Sequence, residues 1–132
     1  MELLRWKARL SVLWVFIAVG MSAVMILRFM MPGVIEEVMV GESEGMMVAY
    51  AFFWLVPLAV AVLCLTLKDS LNRWTNFVLG ILLGLFFIIC EIIVPVIQRD
   101  AVSVALWLMI IAGLLVSFFI AWFAWKWPEY EA

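Results

Sequence analysis

Four long apolar runs divide the chain, at about 10–31, 46–67, 74–98 and 101–127, and short polar segments separate them. The first reads LSVLWVFIAVGMSAVMILRFMM and the second MMVAYAFFWLVPLAVAVLCLTL. Each is about as long as a helix must be to cross the ~30 Å hydrocarbon layer of a bilayer. Together they occupy about three quarters of the 132 residues, which leaves no room for a soluble domain. The expected architecture is all-α: a single transmembrane domain over residues 1–132, folded as a four-helix bundle.

In lipid, small and polar residues mark the faces along which helices pack. The third run shows this best. Arg73, Asn76, Gly80, Gly84, Phe87, Glu91, Pro95 and Gln98 recur at steps of three or four, which places them on one stripe of a helix. The second run aligns Tyr50, Trp54, Pro57, Ala61, Cys64 and Lys68. The fourth aligns Ser103, Gly113, Ser117, Ala121 and Ala124, interrupted by the bulkier Leu106 and Ile110. Ser11, Ala18 and Ser22 do the same for the first. Helix packing accounts for most of these small residues. The connection after the first run opens with Pro32-Gly33 and continues VIEEVMV, in which Val34, Ile35 and Val38 share one side and Glu36 and Glu37 another. A short interfacial helix is expected there, with Gly41 and Gly45 releasing the chain into the second span.

Composition agrees: 70% of the residues are hydrophobic and 14% charged, against about 45–50% apolar for soluble domains. The net charge of -2 says little, but the placement of charge sets a direction. Arg5, Lys7, Arg9, Lys68, Arg73 and Lys126 fall on one side of the four runs, against Arg28 and Arg99 on the other. Short cytoplasmic segments accumulate Lys and Arg, so both termini are expected in the cytoplasm. The loop from Met31 to Gly45, with Glu36, Glu37, Glu42 and Glu44, should face outward. Trp6, Trp74, Trp125 and Trp127 gather at the expected inner boundary, where amphipathic rings settle. The first run continues past the small-x-small triplet Ala18-Val19-Gly20 to Met31, so a retained span is expected there in preference to a cleaved signal peptide. Cys64 and Cys90 lie near opposite ends of their spans, about 20 Å apart in depth, and should not form a disulfide.

One position resists the packing explanation. Glu91 sits in FFIICEIIVPVI with no other charge nearby. The 16 Leu, Ile, Val and Phe residues between Phe77 and Ile97, at about -0.3 to -0.6 kcal/mol each, outweigh roughly +3 kcal/mol for one charge. Insertion is therefore no obstacle; an unpaired carboxylate afterward would be. Arg28 is the one basic residue placed within a span, about 5 Å deep where Glu91 is about 10 Å deep. An ion pair or shared polar pocket between them is expected, serving either as a register-fixing salt bridge or as a protonatable or ligand-binding site. Pro95 lacks an N–H, so the carbonyl of residue 91 should lose its helical partner and the helix should bend. Pro57 is a second expected kink, and Trp54, Phe87 and Trp107 are expected as apolar walls.

The stretch from Pro57 through LKDSLNRWTNFVLGI resembles a family of small bacterial and archaeal four-span membrane proteins, a domain of unknown function. The matching positions are Pro57, Leu67, Lys68, then Asn72, Arg73, Trp74 and Asn76 as N-R-W-x-N, then Gly80. WFAWKWP, from Trp122 to Pro128, looks like the family's ending, and LSVLWVF like its first span. The resemblance implies an integral four-helix membrane protein and brings no activity. Relatives carry a Glu two residues before the Pro, where this chain has Leu55, so no acid role is carried over. On the residues themselves, Asn72, Arg73, Trp74 and Asn76 read as a cytoplasmic cap, with Asn72 capping the third helix and Trp74 anchoring at the headgroups.

Three function classes follow. The first binds or moves a small apolar or amphipathic molecule, such as a lipid or quinone-like compound, around Glu91. The second is a structural or accessory subunit of a larger membrane complex. The third is a small proton-coupled transporter, dimeric through the Gly80/Gly84 face, although that face cannot easily serve a dimer and an internal pocket together. No enzyme is expected, since the chain has no His, metal-ligand cluster or phosphate-binding loop. Membrane lipid is the expected partner, with a homodimer or larger complex as alternatives; neither nucleic acid nor a cofactor or metal is expected.

Overall fold

The computed structural model describes residues 1–41, 44–99 and 102–128, and every regular element among them is helical. Helix α1 spans Glu2–Phe29, α2 Val34–Gly41, α3 Glu44–Thr66 and α4 Asp69–Phe86. The fourth helix continues without a break through a π-helical segment, Phe87–Ile93, into α5, Val94–Gln98. After a turn, α6 runs Val104–Trp125. Three of these, Glu2–Phe29, Asp69–Gln98 and Val104–Trp125, are long and apolar enough to cross a membrane, and Tyr50–Thr66 is a shorter apolar stretch.

Several helix ends differ from the apolar runs because local capping chemistry sets them. At 28 residues, α1 is about 42 Å long, so its basic first turns extend beyond the apolar run. Lys68 is the extended residue before α4, and Asp69 places a carboxylate in the first turn, where the helix dipole favours it. Asn72 therefore does not cap this helix. Ser103 does cap α6: its hydroxyl accepts from the Leu106 N–H at 3.2 Å, which takes it off the packing stripe and leaves it exposed. The short helix expected in the first connection is α2, entered through Gly33 at φ +84. Ile35 and Glu36 are exposed there, while Glu42 and the side chains of Glu37, Val38 and Glu44 lie outside the described residues.

The helices run antiparallel in the order α3–α1–α6–α4, each packed along its neighbour, while α3 and α4 have little backbone proximity beyond the turn that joins them. The core is apolar, with Leu10, Ile17, Ile110 and Ile120 fully buried, but polar side chains share it and large apolar ones cover the outside. Asn72, Asn76 and Ser117 are buried with Gly80 and Gly113, while Val62, Leu82, Leu108 and Phe118 face outward. Closely packed backbones with large aliphatic exteriors are the pattern for a lipid solvent. Gly80 shows the reason for small residues: a Cβ there would lie 2.9 Å from the Ala121 backbone nitrogen. The Gly80/Gly84 face is thus filled by α6 of the same chain, Gly84 meeting Ser117.

Candidate functional site

At the end where α1 begins and α6 finishes, the bundle is closed by polar contacts. The Asn76 side chain uses all four of its hydrogen-bonding sites. Its Oδ1 accepts from Trp14 Nε1 at 2.6 Å and from Cys64 Sγ at 3.2 Å. Its Nδ2 donates to the Asn72 carbonyl at 2.8 Å and to Asn72 Oδ1 at 2.6 Å. Asn72 Nδ2 in turn donates to the Cys64 carbonyl at 2.6 Å. These bonds join α1, α3 and α4 at full burial, so neither amide pays the cost of an unpartnered polar group in hydrocarbon. Just beyond, Lys7 Nζ bonds the Leu67 carbonyl and Asp69, each at 2.9 Å. Of the expected cap, Asn72 and Asn76 are core residues, while Trp74 is exposed and half-buried Arg73 stands beside it. Trp125 is exposed as well, but Trp127 is only 5% exposed, packed into the core with an indole N–H that has no partner among the described residues.

The far end is built differently. Arg28 Nη2 donates to Glu91 Oε2, joining the last turn of α1 to the π-helical segment. The Glu91 side chain is 14% exposed and that of Arg28 46%. Below this pair a cavity of about 270 Å³ opens between α1, α3, the α4–π helix and α6. On α1 its lining runs from Phe16 through Gly20 and Val24 to Arg28, a distance of about 18 Å. Val34 of α2 lies over it, and Arg28, Glu91 and Tyr50 are its polar lining residues. It occupies the gap left where α3 and α4 diverge, and the rings of Phe53 and Phe86, 5.1 Å apart, bridge that gap.

The π-helical turn was not legible in the sequence as such, although Pro95 marks its place. The Val94 N–H bonds the Ile89 carbonyl five residues back, so the wide turn ends just before the residue that has no N–H. The helix widens here and continues into α5. Such turns are rare and tend to occur at functional positions. Pro57 is buried within α3, which runs unbroken from Glu44 to Thr66.

Of the expected walls, Phe87 lines the cavity, and its ring rests on Gly113, where a Cβ would lie 2.6 Å from Cζ. Trp54 and Trp107 do not line it. The Trp54 indole N–H is turned to the Ser22 hydroxyl, tying α3 to α1, and the ring is 52% exposed. The apolar lining comes instead from Phe16, Met21, Met25, Phe53, Phe86 and Met109. These were missed because large apolar residues in lipid-facing helices carry no signal of inward orientation; Gly20, four residues after Phe16, was the available hint. Cys64 is buried and Cys90 exposed, and neither forms a disulfide. No family model matches the chain, and no curated protein or solved structure is similar to it.

Proposed function

We infer that this is a four-span integral membrane protein of the cell membrane, with both termini cytoplasmic, that binds a small apolar or amphipathic molecule in the cavity beneath Arg28 and Glu91. The positive-inside distribution and the resemblance to four-span membrane proteins support the topology, which puts the Arg28–Glu91 end of the cavity in the outer half of the bilayer. The observation that carries the binding reading is a long apolar cavity with an ion pair at one end. Its volume is near the lower end of small-molecule sites, about 300 Å³. A salt bridge serving only to fix helix register needs no such space beside it. The chain acts by binding and not by chemistry, with bilayer lipid as its partner. An internal α6 against the Gly80/Gly84 face speaks against a dimer formed there.

Native mass spectrometry of the protein released from membranes should find one bound amphiphile per chain. Glu91→Gln should lower that occupancy severalfold, well beyond the modest drop in melting temperature that follows from leaving the half-exposed Arg28 without its partner. An unliganded wild-type protein, or a Glu91→Gln variant that only loses stability, would make the pair a strut. Reporter fusions at each terminus should be active in the cytoplasm.

A further inference from the structure

The cavity and the ion pair together restrict what the occupant is. Arg28 and Glu91 carry opposite charges, and both line the cavity. One hydrogen bond joins them, Nη2 to Oε2, so Oε1 of the carboxylate and the remaining guanidinium donors are not spent on each other. The site thus offers a donor and an acceptor side by side with no net charge. An anionic headgroup could reach the spare guanidinium donors but would add a net negative charge beside the Glu91 carboxylate, and a cationic one would add a net positive charge beside Arg28. Either leaves a neutral site with one uncompensated charge at the edge of the bilayer, which is costly there. A neutral headgroup that both donates and accepts meets the two without separating them.

The shape limits the tail. The lining follows α1 for about 18 Å, a length suited to one extended hydrocarbon chain. Eighteen ångströms accommodates roughly 12 to 15 carbons at about 1.2 Å per bond. Gly20 keeps this passage open, since only the flexible end of Met109, 3.9 Å away, lies near the position of its absent Cβ.

We propose that the cavity takes a single-chain amphiphile with a neutral, hydroxyl- or carbonyl-bearing headgroup, its head on the Arg28–Glu91 pair and its tail running down α1 past Gly20. This rests on the binding reading above. The test uses the full chain in phosphatidylcholine nanodiscs, with tritiated 1-monolauroylglycerol as probe and laurate and dodecyltrimethylammonium, which share its 12-carbon chain, as competitors. Saturable binding at one per chain is expected, with both charged competitors at least tenfold weaker than unlabelled monolauroylglycerol. Gly20→Ala, Gly20→Val and Gly20→Leu should lose affinity in that order, at least tenfold by Leu, with melting temperatures at or above wild type because a mid-helix glycine is being replaced. Glu91→Gln should turn the preference toward laurate, by releasing Arg28. Laurate or the ammonium binding as well as the monoglyceride to wild type would overturn the headgroup assignment and leave the cavity reading standing. No saturable binding of any of the three, or binding indifferent to the Gly20 series, would overturn both.

Discussion

Asn76 and Glu91 are carried by the same long helix, about 22 Å apart along its axis, and they solve the problem of a polar side chain in oil in opposite ways. Asn76 is 1% exposed and each of its four hydrogen-bonding sites faces a partner on its own or a neighbouring helix. Glu91 is joined to Arg28 by one hydrogen bond beside a cavity. The first arrangement locks three helices; the second joins two charged groups by a single bond where both line a cavity. A polar residue within a span is thus not in itself a sign of function. What separates a clasp from a candidate site is whether the neighbours saturate it.

That contrast breaks first at Asn76. Asn76→Leu strands the Trp14 indole N–H and Asn72 Oδ1 in the packed interior, while Asn72 Nδ2 keeps its bond to the Cys64 carbonyl. Leaving such groups unpartnered costs about 1–3 kcal/mol each. A loss of about 3 kcal/mol is expected in reversible unfolding in mixed micelles, with ligand occupancy falling only as far as the folded fraction does. A smaller effect is expected at Gly113. Gly113→Ala would push the Phe87 ring off α6 and toward the cavity, costing about 1–2 kcal/mol by overpacking. Here binding should fall more than stability, which would mark Phe87 as the partition between the core and the cavity; equal losses would mark it as core alone. The smallest effect belongs to Asp69→Asn. The Lys7–Asp69 contact is 46% exposed on the acid's side, and exposed pairs contribute about 0–1 kcal/mol. Lys7 also keeps its bond to the Leu67 carbonyl. A melting shift no larger than experimental scatter is expected in 0.5 M salt, with a slight loss at low salt.

How legible this molecule was depended on the kind of signal each part leaves. Glycine and polar positions at helical spacing located the packed stripe on α4 because, in lipid, those residue types are chosen by neighbours and not by solvent. Counting depth along two helices was enough to bring Arg28 to Glu91. The same reasoning put Asn72 at a helix cap, because Asn favours both caps and buried networks and only the third dimension tells them apart. Trp54 and Trp107 went wrong for a related reason: an aromatic ring is equally at home against lipid and against a cavity. The wide turn from Phe87 to Ile93 depends on how a backbone accommodates Pro95 within a packed bundle, which no local pattern of residue types encodes.

The two thiols give a further use to this arrangement. Cys64 is sealed inside, whereas Cys90 is turned away from the bundle one residue before Glu91. A nitroxide attached at Cys90 would therefore sit at the level of the carboxylate without entering the space beneath it. Comparing its relaxation by dissolved oxygen with that by a water-soluble nickel chelate would read the immersion depth of this turn in the natural sequence. A signal dominated by the nickel chelate would place the glutamate's turn in the aqueous phase and not in the bilayer.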